Sequence, residues 1–318
     1  MKKPIIVILV LLVSIYTVAA ECVIPTNGMA ITKNTILCEG TYTLPAGVKL
    51  EAKTDIIFDC NGATLRGKGE NTGISVSWGG QHTIKNCNIK NYGTGIFMWV
   101  SNNNLIRSNN FINNYNGIYF DDADNVRVIN NKFYHNTKGI YVYWDSTGIV
   151  IERNIVTENF DSGIAVSWDP SETLIRNNKI VGNNKGIEAD CPYGHGTDNN
   201  YYENNVIKDN EYGIYLCQAY SSTVKGNLIK DNRNGIYVTG GSGNYIYQNN
   251  MVNNSIQAFD YGVASWNNNN DGNYWSDYDT PAEGCIDQNS DNICDSPYSN
   301  IPPFNRSDNL PHTIAFGT

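Results

Sequence analysis

Two rows of side chains recur at fixed distances after a Gly-Ile pair, and they hold most of the residues in this chain that could meet a substrate. The first row reads Ser75, Phe97, Tyr119, Tyr141, Ala165, Glu188, Tyr215 and Tyr237; the second reads Ser77, Trp99, Asp121, Tyr143, Ser167, Asp190, Cys217 and Thr239. Just beyond them lie Trp78, Asp122, Trp144, Asp145, Trp168 and Asp169. Aromatic rings offer flat apolar faces and carboxylates accept hydrogen bonds, which is the combination a sugar chain requires. The candidate glycan contacts are therefore Trp99, Tyr119, Tyr141, Tyr143, Trp144, Trp168, Tyr215 and Tyr237. The same rows would also arise if cross-turn aromatic stacking only stabilised a sheet.

Catalysis would need more. Glycoside hydrolysis uses two carboxylates about 5 to 9.5 Å apart. Asp121, Asp122, Asp145, Asp169, Glu188 and Asp190 offer several such pairs if successive units stack. The unit from Gly186 to Gly213 is the longest and adds His195 and Asp198 to Glu188 and Asp190. It is the best local candidate for an active site, the alternative being a disulfide-pinned loop. Gly194-His195-Gly196 resembles a motif of polygalacturonase-type hydrolases, whose Asn-Thr-Asp-Gly element is missing here. Asp169-Pro170 lacks the His that follows Asp-Pro in mannuronan epimerases.

The elements that carry these rows follow from a repeat. Asn109, Asn131, Asn154, Asn178, Asn205, Asn227 and Asn249 are each followed five residues later by a second Asn, from Asn114 to Asn254, and the units return every 22 to 27 residues. A period in this range signals stacked repeats. Asn, Gly, Ile, Val and Tyr suit short strands and tight turns rather than helices. Apolar residues alternate after each Gly-Ile, as in Ile140 and Val142, and single apolar positions flank the first Asn, as in Ile151 and Val156. Three short strands per turn make a parallel β-helix. The paired Asn residues are expected to hold the corners, adopting the left-handed backbone themselves and stacking their amides about 4.8 Å apart.

Lys2-Lys3, the apolar run Ile5 to Tyr16 and the small residues Val18-Ala19-Ala20 read as a secretory signal peptide over residues 1–20. No later stretch is long and apolar enough to span a bilayer. Residues 21–70 read as an N-terminal cap and first turns, 71–266 as the repeats and 267–318 as a tail. In an exported chain eight cysteines imply disulfides. Spacing suggests Cys22 with Cys38, Cys60 with Cys87, Cys191 with Cys217, and Cys285 with Cys294, Cys87 standing where an Asn would. Losing Lys2 and Lys3 takes the formal charge from −9 to −11. Such an acidic chain without Lys or Arg clusters is a poor partner for nucleic acid. A polysaccharide is the expected partner, and the chain is expected to act as a monomer, secreted to the medium, cell surface or periplasm.

In the tail, Asp287, Asn289, Asp291, the Ile293 carbonyl and Asp295 place oxygens at alternate positions, as in a calcium loop. Asn292 replaces the usual turn Gly and Tyr298 stands where a Glu would close the shell, so an Asx-turn loop stapled by Cys285 and Cys294 is the other reading. The Asn-x-x-x-x-Asn…Gly-Ile turns, with Gly272-Asn273-Tyr274-Trp275-Ser276-Asp277-Tyr278 and Asp295-Ser296-Pro297-Tyr298, resemble the NosD-like right-handed β-helix proteins. These stand within the wider group of carbohydrate-binding and sugar-hydrolase β-helix domains. The resemblance implies a periplasmic accessory role in copper-site maturation of nitrous oxide reductase. Copper itself is not expected from the residues, because soft ligands should cluster and His82, His135, His195 and His312 are scattered. The fold expected is an all-β, single-stranded, right-handed parallel β-helix of about ten turns with N- and C-terminal caps. Three functions stand open: a glycan-binding module, a polysaccharide hydrolase, lyase or epimerase, and a copper accessory protein.

Overall fold

The computed structural model describes residues 21–51, 54–191 and 194–317, so the expected signal peptide lies outside the described residues. The chain winds as a parallel β-solenoid whose turns each add one strand to three sheets, eleven, thirteen and eleven strands deep. The first sheet collects the Gly-Ile strands, for example Lys138–Tyr143. The second collects Val150–Glu152 and its equivalents, and the third Ile155–Thr157 and its equivalents. The stack runs from Met29–Ile31 to Tyr274–Trp275.

Alternation decides what faces inward. Ile140 and Val142 align with Ile164 and Val166 on the next turn, and all four are fully buried. Ile151 and Val156 fill the same core from the other two sheets. Phe111 and Phe133 stack in it with centroids 4.7 Å apart. The glycine of each Gly-Ile pair is required by close approach. A Cβ on Gly139 would lie 2.5 Å from the Gly163 carbonyl oxygen of the next turn.

The corners differ from expectation in one respect. The left-handed residue is not the paired Asn but the one before it. Ser108, Asn130, Arg153 and Asn177 precede the first Asn of their units, and Asn113, His135, Glu158 and Asp209 precede the second, with φ between 53° and 57°. The reason is geometric: with an ordinary φ, the ladder Asn turns its amide inward, where it can reach two neighbouring turns. Asn136 shows the pattern. Its backbone N–H and Nδ2 both donate to Asn159 Oδ1 (3.0 and 3.1 Å), and Nδ2 also donates to the Phe111 carbonyl at 3.1 Å. Its own Oδ1 accepts from the Asn114 backbone and side chain. The first ladder begins where the Cys87 N–H donates to Asn109 Oδ1, and it ends at Asn273, which the Asp308 carboxylate holds.

Disulfides tie the turns and the tail covers the C-terminal end of the stack. Cys22–Cys38 and Cys60–Cys87 tie the first turns, Cys191–Cys217 joins two neighbouring turns, and Cys285–Cys294 closes the tail loop. The tail folds back so that Trp266, Trp275 and Ile301 are buried and Trp275 Nε1 donates to Asp308. Covering that edge removes a template for end-to-end polymerisation. On the second sheet Glu152 is buried between Arg127 (3.3 Å) and Arg176 (2.9 Å) of the flanking turns. Burial alone would raise its carboxyl, but the two guanidinium groups outweigh that and hold it below the usual range.

Two outcomes follow. Asn136→Ala leaves donors and acceptors unpaired on both flanking turns and is expected to lower unfolding stability by about 2 to 4 kcal/mol. Asn136→Asp, which accepts but cannot donate to Phe111, should not rescue it; urea unfolding reads both, and wild-type stability in either would remove the ladder's role. Because the folded-state carboxyl of Glu152 is lowered, its stabilisation is present above the ordinary glutamate range and is lost as pH falls through the lowered value. Glu152→Gln should therefore cost about 1 to 2 kcal/mol near neutral pH, the exposed guanidinium faces discounting it. That gap to wild type should close in acid.

Candidate functional site

The register places the predicted rows on the outer face of the first sheet. Phe97, Tyr119, Tyr141, Ala165, Glu188, Tyr215, Tyr237 and Phe259 align turn by turn. Trp99, Asp121, Tyr143, Ser167 and Asp190 align beside them. What the register does to the rings was not foreseen. Tyr119 and Tyr141 stack at 5.2 Å and 14°, Tyr215 and Tyr237 at 5.8 Å and 6°, and Tyr237 and Phe259 at 4.4 Å and 5°. Residues one rung apart thus cover each other's faces and leave their edges to solvent. Trp78 and Trp99 escape this by packing edge to face at 67°, with Trp78 63% exposed, and Tyr143 lies tilted against its neighbours.

The aromatic file is interrupted for two rungs, at Ala165 and Glu188. Glu188 does not stand there as a free acid. Its carboxylate accepts from Ser162 Oγ and Lys185 Nζ, and Lys138 Nζ lies 3.2 Å away, so the side chain is almost wholly buried. Asp161 completes the cluster, 2.6 Å from Lys138. Each lysine also sits over a ring, Lys138 over Tyr141 at 5.3 Å and Lys185 over Tyr215 at 5.2 Å. Burial disfavours the Lys138 charge, but Glu188 and Asp161 outweigh it and hold the ammonium above its usual range. The sequence carried a signal for this cluster: Lys138 and Lys185 both stand immediately before the Gly of a Gly-Ile pair.

Asp190 lies beside this cluster, half-buried, one register position from Ser167. Burial and then the neighbouring Glu188 raise its carboxyl, against the Cys191 N–H that donates to it at 2.9 Å and the two lysines. Asp121 is raised by burial and by Asp122. At the sheet's far edge Trp144, Trp168 and His195 stack on three successive turns, at 5.4 and 4.3 Å, and His195 Nδ1 lies 3.2 Å from Asp169 Oδ2. Trp144-Asp145 and Trp168-Asp169 are consecutive left-handed residues, with φ of 41°, 46°, 66° and 63°. Asp145 and Asp169 are exposed. Trp144, Trp168, His195, Asp145 and Asp169 are thereby brought together, with Tyr143 and Asp190 on the strand ends beside them. Trp99, Tyr215 and Tyr237 lie turns away.

The tail loop is closed by its own hydrogen bonds: Asp287 accepts from the Asp291 and Asn292 backbone, Asp291 from Ile293, and Asp295 from Gln288. Asn289 Nδ2 donates to Asp291. Among the described residues no group of three His, Cys, Asp or Glu side chains converges. His82 is buried at a corner where its Nδ1 accepts from Ile56, and His312 stands beside Asp271 in the tail.

Comparison with known proteins agrees with this architecture. Residues 46–191 match the model of the right-handed β-helix region, and residues 191–280 that of the periplasmic copper-binding protein NosD. The chain is a right-handed parallel β-helix protein. Within that class it is NosD-like. No curated protein sequence matches it. Among solved structures it is similar to the A-module of mannuronan C-5 epimerase AlgE4 of Azotobacter vinelandii, at 15% identity and TM-score 0.64 over 74% of this chain and 73% of that one. A mutant of the periplasmic alginate epimerase AlgG gives 13% and 0.55 over 74% and 75%. Pectate lyase Pel9A gives 17% and 0.54 over 90% and 88%. At such identities the likeness is one of fold.

The ion cluster generates a prediction of its own. Glu188→Gln strands two lysines and is expected to destabilise the protein by about 3 kcal/mol, whereas Lys138→Met with Glu188→Leu should lose less than either change alone. Denaturant unfolding of the wild type, the three single variants and the double variant measures this. Additive losses would mean that the groups do not act as one cluster.

Proposed function

We propose that this protein binds a polysaccharide along the edge of its first sheet, at the wall made by Tyr143, Trp144, Trp168 and His195. The observation that carries the reading is the pair of Trp-Asp dipeptides held left-handed on successive turns. A non-glycine residue in that region costs about 1 to 3 kcal/mol, and here four such residues repeat the same presentation of ring and carboxylate toward solvent. Trp144, 45% exposed at the end of the stacked column, supplies apolar area, and Asp145, Asp169 and Asp190 supply acceptors for sugar hydroxyls. The similar structures, a mannuronan C-5 epimerase, an alginate epimerase and a pectate lyase, support a polysaccharide as the ligand class. Four disulfides and the periplasmic description of NosD support an extracellular or periplasmic location.

A catalytic version of the same reading is favoured by one contact. His195 is oriented by Asp169 as an acid-base group would be, near an Asp190 whose carboxyl is raised. The copper reading has only the NosD match behind it.

After a glycan array names a ligand, Trp144→Ala with Trp168→Ala should weaken its binding by about 1 to 3 kcal/mol in calorimetry. If the protein only binds, Asp190→Asn and His195→Ala leave no product to lose. If it turns the glycan over, they should cut the rate about a hundredfold while binding persists. Binding that survives loss of both tryptophans would place the site elsewhere.

A further inference from the structure

A groove lies at the corner between the third and first sheets, outside the rows considered so far. The corner after Thr64–Arg66 runs five residues before Thr72–Gly80 begins, against three after Asn88–Lys90. This longer corner borders a cavity of about 490 Å³ lined by Arg66, Lys68, Asn91 and Asn113. Through Gly69 and Asn113 the cavity continues into a second of about 380 Å³, lined by Tyr115, His135 and Phe160. Tyr115 and Phe160 are 61% and 70% exposed, far more than the stacked tyrosines of the first sheet. His135 is fixed between Tyr134, 3.7 Å away centroid to centroid, and Glu158, 2.8 Å from Nε2.

The polar lining is free to bind. Asn91 and Asn113 are left-handed corner residues rather than ladder members, and their side-chain amides make no hydrogen bond among the described residues. Arg66 stands one rung from Lys90, and neither of these nor Lys68 has an ion-pair partner among the described residues. The wider face agrees. No strand of the third sheet contains Asp or Glu, while Arg66, Lys90, Lys132, Lys179, Lys208 and Lys230 all stand on it. Only Lys208 and Lys230 are paired, to Asp209 and Asp231 at the corner. In a chain of net charge −9 this is a segregated cationic face.

We propose that this groove is a binding site for an anionic sugar chain. Arg66 and Lys68 hold its carboxylate or sulfate groups, the amides of Asn91 and Asn113 meet its hydroxyls, and a ring lies against Tyr115 and Phe160. Arg supplies a planar fork for a two-oxygen anion, and exposed ring faces supply the apolar contact that the stacked rows withhold. Since the rest of the surface repels anions, the attraction is local and weakens with salt. The groove is independent of the wall at Trp144 and Trp168, and it gives the molecule a second subsite.

The test is calorimetry on the full chain with an oligouronate, a sulfated oligosaccharide, a neutral oligosaccharide and polyphosphate. Binding of an anionic sugar is expected, weakened by salt, and the oligouronate and sulfated arms tell which group is read. Arg66→Ala with Lys68→Ala, both exposed and away from the core, should weaken it about tenfold or more. Tyr115→Ala with Phe160→Ala should weaken it comparably, and Arg233→Ala, which removes an exposed cation outside the groove, should leave it unchanged. Equal binding of the neutral sugar, equal binding of polyphosphate, no binding of either anionic sugar, or insensitivity to the Arg66 and Lys68 changes would each overturn the proposal. Loss of anionic binding only in the Trp144 and Trp168 variant would overturn it too, while leaving the sheet-edge reading intact.

Discussion

The buried asparagine amide is the interaction on which the rest of this molecule depends. At each corner one Oδ1 takes two N–H groups from the turn before, and one Nδ2 returns a bond to a strand carbonyl. A corner buries backbone groups that no sheet partner can satisfy, and leaving one unpaired costs about 1 to 3 kcal/mol. The Asn amide is short enough to stay inside the corner and has both a donor and an acceptor to serve two turns. Every rung is therefore locked to both neighbours, and a defect in one is felt in two others. The left-handed backbone falls to the preceding residue, where Arg153, His135 and Glu158 accept it.

That locking dictates the outer surface. With the register fixed, residues at equal positions in successive units stand one rung apart, so like rings stack and opposite charges pair. Tyr119 on Tyr141, and Glu152 beside Arg176, are two outcomes of one rule. Stacking stabilises the rod but hides the ring faces that a ligand would use. Recognition surfaces consequently arise where the repeat departs from itself. The file breaks at Ala165 and Glu188, the unit from Gly186 to Gly213 is lengthened around His195, and the corner before Asn71 is lengthened beside Arg66.

Much of the fold was legible because a period needs only residue types. Inward Ile and Val, the Gly-Ile close approach and the Asn corners each recur often enough to be read without contacts, and Cys87 could be recognised as standing in an Asn position. The left-handed residue was missed because Ser108, Arg153 and Glu158 share no chemistry; only their backbone is alike. Glu188 was read as an open acid because its partners Ser162 and Lys138 come from earlier units, 26 and 50 residues away. Ring orientation cannot be read from spacing at all, so exposed sugar platforms and self-covered stacks look the same in sequence. The corner groove fell outside the rows that the Gly-Ile pair had drawn attention to.

A rod whose rungs are pinned at two corners and tied by disulfides binds with the geometry it already has. Ligand recognition would then lose little to ordering the protein, since Trp168 is already held by rings on adjacent turns and Asp190 by the N–H of Cys191. The same rigidity limits chemistry. Any catalytic group must sit in place before the substrate arrives, and only His195 with Asp169, and the half-buried Asp190, meet that condition on the sheet edge. The acids elsewhere in the rows are exposed, half-buried beside another acid like Asp121, or, like Glu188, already neutralised by lysine. A stacked fold can repeat a binding surface cheaply, but an active site has to be made where the repeat is broken.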